Sequence, residues 1–398
     1  MVDFTIEDSP ELTQWREEVR AFLDSELDER IVGFDWDYSE DDELWDATVG
    51  FWQKVGAKGW VGVGWPKELG GAGKSATEKW ILHEEFCAYR APDYPIIGLQ
   101  VAAHVMRLGT PQQRAKHVPG IASARVLWGE GYTEPDAGSD LASLEAKAVR
   151  DGDEWVINGQ KTFGTAAHRA QWMAVLARTD STVPKHAGLT AFLVPLDTPG
   201  LTMTPMHNLA GGRQNHTFFD NVRVPLDCQL GSVNRAWQEV WFQMGGERMD
   251  RGGPAPSVRE RRLGVVLEML IDFCKQTKRN GVLMSEDPVV RMQLSELMIG
   301  VESMKLLEYD SFWRSQSGNP SAYGHYLSQA YYKEFWPRFA QTCMEILGPA
   351  AQITSGPWAP LAGEVEQFYR TSFGNHAGGT SQTKRMVIAT RALGLPRS

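Results

Sequence analysis

The chain has 398 residues, with 40 basic and 50 acidic side chains and a formal net charge of −10. This length predicts two or three domains, and a hydrophobic fraction of 42% excludes an intrinsically disordered composition. The acidic balance offers phosphates no general attraction, so nucleic acid is not an expected partner. No long uninterrupted apolar run occurs, so no transmembrane helix and no membrane partner are expected. The opening MVDFTIEDSPELTQW has neither the apolar core of a secretory signal nor the Arg-rich texture of a transit peptide. Four scattered cysteines (Cys87, Cys228, Cys274, Cys343) form no CxxC and no ligand cluster; no metal site is predicted, and a reducing cytoplasm is the expected location.

From Pro10 to about Arg125 the pattern is helical. ELTQWREEVRAFLDSEL places Leu12, Trp15, Val19, Phe22 and Leu23 at helical spacing. SEDDELWDATVGFWQKVGAKGW repeats the habit after an acidic, cap-like start, and SATEKWILHEEFCAYRA begins with Ser75 as a candidate N-cap. The intervening VGVGWPKELGGAGKS is a Gly- and Pro-rich loop. Near Trp128 the period changes. GDEWVINGQKTF contains Asn158-Gly159 between apolar residues, a strong hairpin-turn signal because a type I′ turn needs two positive φ angles. WMAVLARTD, HAGLTAFLVPLD, LTMTPMH and NHTFFDNVRVPLD continue as short strands to about Gly231. From about Trp237 helical texture returns, most strongly in QLSELMIGVESMKLLEYDSFWRSQ and GNPSAYGHYLSQAYYKEFWPRFAQTCMEIL. The predicted order is α, β, α.

Several signals fail. GGAGKS lacks the first Gly of a phosphate-binding loop, because that position is Glu68. VGVGW has Lys67 where a dinucleotide-binding turn needs its last Gly. His83-Glu84-Glu85 has Cys87 in place of the second zinc-binding His. No GxSxG nucleophile elbow is present. The informative stretch is GYTEPDAGSDLASL, where Thr133, Glu134, Asp136, Ser139 and Asp140 crowd a loop entering the β region. Such a loop can offer backbone N–H groups and hydroxyls to a polar ligand edge. About twenty residues later comes INGQKTFGTAAHRAQW, with Phe163 and Thr165 at a strand end.

VGWPKELGG, YTEPDAGSD, INGQKTF, FFDNVRVP and GGTSQTKRMVIATRALGLPR follow one another over nearly the whole chain. In this order they resemble the acyl-CoA dehydrogenase family, flavoenzymes that desaturate acyl-CoA thioesters. The resemblance implies an α+β fold with an N-terminal helical domain, a central antiparallel β-barrel-like domain and a C-terminal four-helix bundle. The corresponding segments here are residues 1–126, 127–234 and 235–398. It also implies FAD as cofactor. Tyr132 and Thr133 would present loop groups to the pyrimidine edge of the flavin. Phe163 stands where the family often has a flavin-packing Trp, the rival expectation for a strand Phe being the core. Thr165 would bond near flavin N5, Ser139 would lie toward the FAD phosphates or the thioester, and Thr380 and Gln382 would hold the flavin and ribityl region.

The family reaction removes an α-proton with a carboxylate while the β-hydride passes to flavin N5. That carboxylate needs an apolar pocket to raise its pKa. Many members place it just before Gly-Thr in the C-terminal motif. In HAGGTSQ that position is Gly378, and Gly cannot take a proton. A minority supplies the base from a C-terminal-domain helix, which matches Glu247 in MGGERMDRGGPAP. Glu247 is the candidate base, with Arg248 and Gly378 as candidate substrate-side positions. The motifs by which one subunit grips its neighbour's ADP moiety are altered: TKRNGVLM has Thr277 and Asn280 for Arg and Phe, with Lys278 and Arg279 as partial substitutes. EILGPAAQ has Glu345 for Gln and Pro349 for Gly, unfavourable for a pyrophosphate because of charge and a lost donor. The pattern implies a dimer or tetramer, including an α₂β₂ assembly with a paralogue, as in an actinobacterial subfamily acting on steroid side-chain thioesters. The expected function is desaturation of a bulky or branched acyl-CoA, with an electron-transfer flavoprotein as acceptor. Alternatives are a non-catalytic subunit of a heteromeric dehydrogenase and a flavin monooxygenase on the same fold.

Overall fold

A computed structural model describes residues 8–35, 40–241, 259–318, 321, 323–373 and 378–396. The chain divides into two compact units, Met1–Ala255 and Pro256–Ser398.

The first unit begins with five helices whose starts are set by local chemistry. They are α1 (Pro10–Glu26), α2 (Asp42–Ala57), α3 (Ala76–Ala88), α4 (Ile96–Leu108) and α5 (Pro111–Ala122). Pro10 and Pro111 occupy first-turn positions where a missing N–H costs nothing. Ser75 and Thr110 form capping boxes with Glu78 and Gln113. Trp15, Val19 and Phe22 of α1 pack with Trp52 of α2, Ile81 and Leu82 of α3, and Trp60. Trp15 meets Trp60 edge-on at 5.1 Å, which is where part of the large Trp content goes. Buried Glu85 is answered by two guanidiniums, Arg16 at 2.6 Å and Arg20 at 2.8 Å.

Eight strands follow: β1 (Trp128–Gly131), β2 (Lys147–Asp151), β3 (Glu154–Lys161), β4 (Trp172–Arg178), β5 (Leu189–Pro195), β6 (Leu201–His207), β7 (Arg213–Pro225) and β8 (Gln229–Leu230). They form one sheet in the order β6-β7-β3-β2-β4-β5-β8, with β1 also on β4. Pairing is antiparallel except where β4 meets β1 and β2. One side packs Trp128, Leu176 and Leu193 against Val101 and Val105 of α4 and Val118 and Ile121 of α5. A separate core gathers Trp155, Ile157, Phe192 and Val222.

The Asn158-Gly159 turn expected from the sequence is not a turn. Strand β3 runs straight through it, and the register with β7 shifts between Ile157 and Gly159 as a β-bulge. Gly159 is required there because its φ is +145° and a Cβ would stand 2.6 Å from the Cβ of Ala146. Asn158 is tied to β7, its Oδ1 accepting from the Asn221 N–H at 2.8 Å. The turn lies between β2 and β3 instead, with Gly152 at φ +62°.

The second unit contains α6 (Arg259–Gln276), the hairpin β9 (Lys278–Arg279) and β10 (Val282–Leu283), α7 (Pro288–Gln316), α8 (Gly324–Leu347), α9 (Glu364–Ser372) and α10 (Ser381–Val387). Helices α6 to α9 share one core, including Leu267, Leu270, Leu297, Met304, Phe339, Cys343 and Phe368. Among the described residues no helix is long and apolar enough to cross a membrane.

Candidate active site

The YTEPDAGSD loop leaves β1 and is fastened from beneath. The side chain of Tyr132 is buried in the core between the helices and the sheet, where burial raises its phenol pKa. Its carbonyl accepts from Lys161 Nζ at 3.1 Å. Lys161 is only 1% exposed and also pairs with Glu134 at 2.7 Å. Glu134 accepts two further bonds, from the N–H of Glu145 at 2.6 Å and of Ala146 at 2.9 Å. Burial pulls the Lys161 ammonium down to about 8, while the Glu134 charge opposes that fall. Thus Glu134 is an internal anchor. Thr133 is half-buried, and Ser139 and Asp140 are exposed, with Asp140 bonded to Lys185 at 2.6 Å.

The second element is the segment after β3. Phe163 is 55% exposed at φ +60°. The core position considered for it from sequence is therefore wrong, because its flanks turn it outward. The Thr162 N–H donates to the Thr133 carbonyl at 2.9 Å, and Thr162 Oγ1 bonds His216 Nδ1 at 2.9 Å. On the other flank, the Gly164 N–H donates to the Asn215 carbonyl at 3.1 Å, and Asn215 Nδ2 donates to the Gly164 carbonyl at 2.9 Å. A left-handed non-glycine residue costs roughly 1–2 kcal/mol and persists where its surroundings over-determine it. Thr165 Oγ1 accepts a long bond from Gln214 at 3.4 Å. Thr133, Phe163 and Thr165 are thereby brought onto one fastened loop pair.

Asn215, Lys161 and His168 were not singled out from sequence. Asn215 is fully buried on β7, in phase with inward-facing Thr217 and Phe219. A polar residue on the inward period of a strand was the available signal. His168 accepts from Asn215 Nδ2 through Nδ1 at 3.2 Å. Burial, with Arg213 and Arg169 nearby, lowers its pKa to about 4, so it is neutral near pH 7 with its proton on Nε2. A broad cleft of about 590 Å³ lies beside this segment, lined by His168, Gln171, Trp172, Pro195 and Met203 among others. None of the expected site residues lines it, so the candidate site rests on the loop pair.

In the second unit, Thr380 caps α10, its Oγ1 accepting from the Thr383 N–H at 3.2 Å. Gln382 is exposed. Gly378 has φ +69°, a Cβ there would meet nothing within 4 Å, and its carbonyl accepts from Lys384 at 2.5 Å. TKRNGVLM is a tight hairpin with Asn280 and Gly281 at φ +51° and +84°. Arg279 is bound to the Ile346 carbonyl at the end of α8, so it is committed to its own chain, whereas Lys278 is exposed. Glu247 and Arg248 lie outside the described residues.

Three family descriptions match in chain order: acyl-CoA dehydrogenase N-terminal domain over residues 9–125, middle domain over 129–222 and C-terminal domain over 261–393. The acyl-CoA dehydrogenase FadE26 of Mycobacterium tuberculosis is 34% identical over 87% of each chain. The chain belongs to the acyl-CoA dehydrogenase family. It is accordingly an oxidoreductase acting on a CH–CH bond, in a family of flavoproteins. Among solved structures, the Tcur3481-Tcur3483 steroid ACAD superposes with a TM-score of 0.87 at 33% identity, covering 98% of this chain and 99% of that one. The ChsE4-ChsE5 complex from Mycobacterium tuberculosis gives 0.86 at 29% identity, covering 99% and 100%.

The fit of a flavin can be tested on these side chains. An exposed aromatic face displayed by a doubly fastened backbone, beside two half-buried threonines, suits a planar ring with polar edges. The residues of this dehydrogenase therefore fit the group.

Proposed function

We propose that this dehydrogenase desaturates a bulky or branched acyl-CoA thioester of steroid side-chain type, with Glu247 as the base that takes the α-proton. The observation that carries the reading is the displayed Phe163 between Thr133 and Thr165. Tyr132, through its backbone, and Thr133 would face the pyrimidine edge of FAD, Phe163 its ring and Thr165 its N5 side. Ser139 would reach toward the phosphates or the thioester, and Thr380 and Gln382 would hold the ribityl side. FAD, when bound, supplies the acceptor for the β-hydride. The α-proton needs a base, and Gly378 has no side chain to offer. Glu247 would supply a carboxylate from the Gly-rich segment MGGERMDRGGPAP, and Arg248 beside it would help hold that carboxylate or the substrate. A closed apolar pocket would lift its pKa toward neutrality, as a general base at working pH requires. Electrons would leave to an electron-transfer flavoprotein.

The commitment of Arg279 to Ile346 supports a paralogous partner that supplies the ADP grip. The bulky substrate is favoured by the likeness to a steroid ACAD. Glu247→Gln is the test. Loss of at least a thousandfold in turnover on a steroid side-chain CoA, with FAD content unchanged, supports the assignment. Unchanged turnover transfers the role to a partner and favours the second reading, a non-catalytic subunit. That reading draws on the same altered ADP-gripping hairpin.

A further inference from the structure

Two adjacent glycines, Gly378 and Gly379, lead into helix α10 with φ of +69° and +97°. Glycine has the widest backbone freedom of any residue, so a fixed conformation here needs a clamp. Lys384 supplies it. This lysine is 6% exposed, and its Nζ donates to the Gly378 carbonyl at 2.5 Å. Its Cε and Nζ would each stand 3.5 Å from a Cβ at Gly379. From α8, the Tyr326 ring centroid lies 5.5 Å from the ammonium, and Glu334 holds the neighbouring Arg385 at 2.6 and 2.7 Å. A cation is expensive to bury and persists where other groups answer it. None of the described peptide bonds is cis, so the Gly379 N–H points opposite to the Gly378 carbonyl and away from the ammonium. That N–H has no hydrogen-bond partner among the described residues. It stands one residue before the Thr380 cap, outside the N–H groups that the start of α10 leaves unpaired. A Cβ at Gly378 would meet nothing within 4 Å, so the pair borders open space.

We propose that Lys384 is a positioning residue for α-proton removal: it fixes and polarises the Gly378–Gly379 peptide, so that the Gly379 N–H donates to the thioester oxygen as that oxygen becomes negative. The inference rests on the acyl-CoA desaturation proposed above. When the α C–H bond breaks, its proton goes to Glu247 and its electron pair moves onto the thioester oxygen. Departure of the β-hydride then draws that pair into the new C=C bond. A donor already aimed at the oxygen stabilises its charge without reorganisation. The ammonium makes a charge-assisted bond to the carbonyl end of the same peptide. Hydrogen bonds in series polarise one another, so the N–H end becomes the stronger donor. Lys384 itself touches neither substrate nor flavin and acts through Gly379. Losing one such donor outright slows an enzyme by about 10²–10³. Losing only the charge that polarises it is expected to cost about tenfold to a hundredfold.

The test uses the FAD-loaded full-length enzyme, in the assembly in which it is isolated, turning over a steroid side-chain CoA thioester with hydrogen or deuterium at the α-carbon. Lys384→Met keeps most of the stem and removes the charge. Its kcat per bound flavin is expected to fall about tenfold to a hundredfold with KM within about twofold, the pattern of an interaction made only in the transition state. Its α-deuterium isotope effect is expected to rise, because proton removal becomes the slower step. Lys384→Arg, which restores a cation, is expected to recover most of the rate. A merely structural lysine would lower flavin content or melting temperature and leave the isotope effect per flavin unchanged. Should Lys384→Met fail to fold, Lys384→Gln is judged by the same criteria. An unchanged kcat and isotope effect per flavin in the neutral variant overturns the proposal, as does an Arg variant no faster than the neutral one. Glu247→Gln in the same assay separates the two readings. Full turnover there removes the base assignment and leaves Lys384 to its own isotope effect, whereas an inactive Glu247→Gln beside a normal Lys384→Met removes only the role of Lys384. An unmodified enzyme without turnover on this thioester overturns both.

Discussion

Replacing Lys161 by Met tests the anchor beneath the YTEPDAGSD loop. Met has nearly the length of the Lys stem, so the space is filled and no cavity term enters. What changes is charge. Glu134, 7% exposed, keeps the two backbone N–H donors of Glu145 and Ala146 but loses the ammonium at 2.7 Å. Removing one partner of a buried pair costs about 3–5 kcal/mol because the other charge is left unanswered. The two remaining donors place the expected loss near the lower end, about 3 kcal/mol. Urea unfolding followed by Trp fluorescence reads it as a lower midpoint for the first unit. Glu134→Gln alone should also destabilise, because it strands the ammonium. The double variant Lys161→Met, Glu134→Gln should recover at least ~1 kcal/mol relative to the sum of the singles. FAD retention should fall in Lys161→Met, since the Tyr132 carbonyl also loses its donor. A single-variant loss under ~0.5 kcal/mol, the range of ordinary surface changes, or strict additivity, would refute the anchor.

Three further outcomes follow from the same geometry. Asn215→Leu preserves volume but strands the Gly164 carbonyl and His168 Nδ1, so a loss of about 2–3 kcal/mol and weaker FAD binding are expected in thermal melts and flavin titration. Phe163→Gly should relieve the positive φ and raise stability by ~1 kcal/mol while FAD retention drops; a less stable protein with normal flavin content would contradict this. His117 is buried between Trp128 at 5.2 Å and Trp172 at 4.7 Å, and burial with Lys116 nearby lowers its pKa from 6.5 to about 4. Below pH 6.5 the unfolded chain takes up this proton and the folded chain does not until about pH 4, so stability falls across that window and is constant above it. Between pH 7 and 5 this group contributes a loss of about 2 kcal/mol, which His117→Gln should remove from the difference between urea midpoints at the two pH values.

The local chemistry of this chain was legible in its sequence. The helix start at Ser75 depends on a side chain reaching three residues ahead, and the buried face of α1 is written in the spacing of Trp15, Val19 and Phe22. The ordered motifs implied the family and its α+β plan, and the matches over all three domains agree. Contacts between distant segments decided the rest. Asn158-Gly159 has every local property of a turn, yet β7 and Ala146 hold it in a continuous strand as a bulge. Phe163 has the composition of a core residue, yet Thr133 and Asn215, remote in sequence, turn it outward. Arg279 reads as a free cation until the end of α8 supplies its acceptor. Caps and periodicity act within one turn of chain, so sequence alone determines them. A side chain's exposure, and the partner that claims its charge, depend on which remote strand or helix end arrives beside it, and only the tertiary structure decides that.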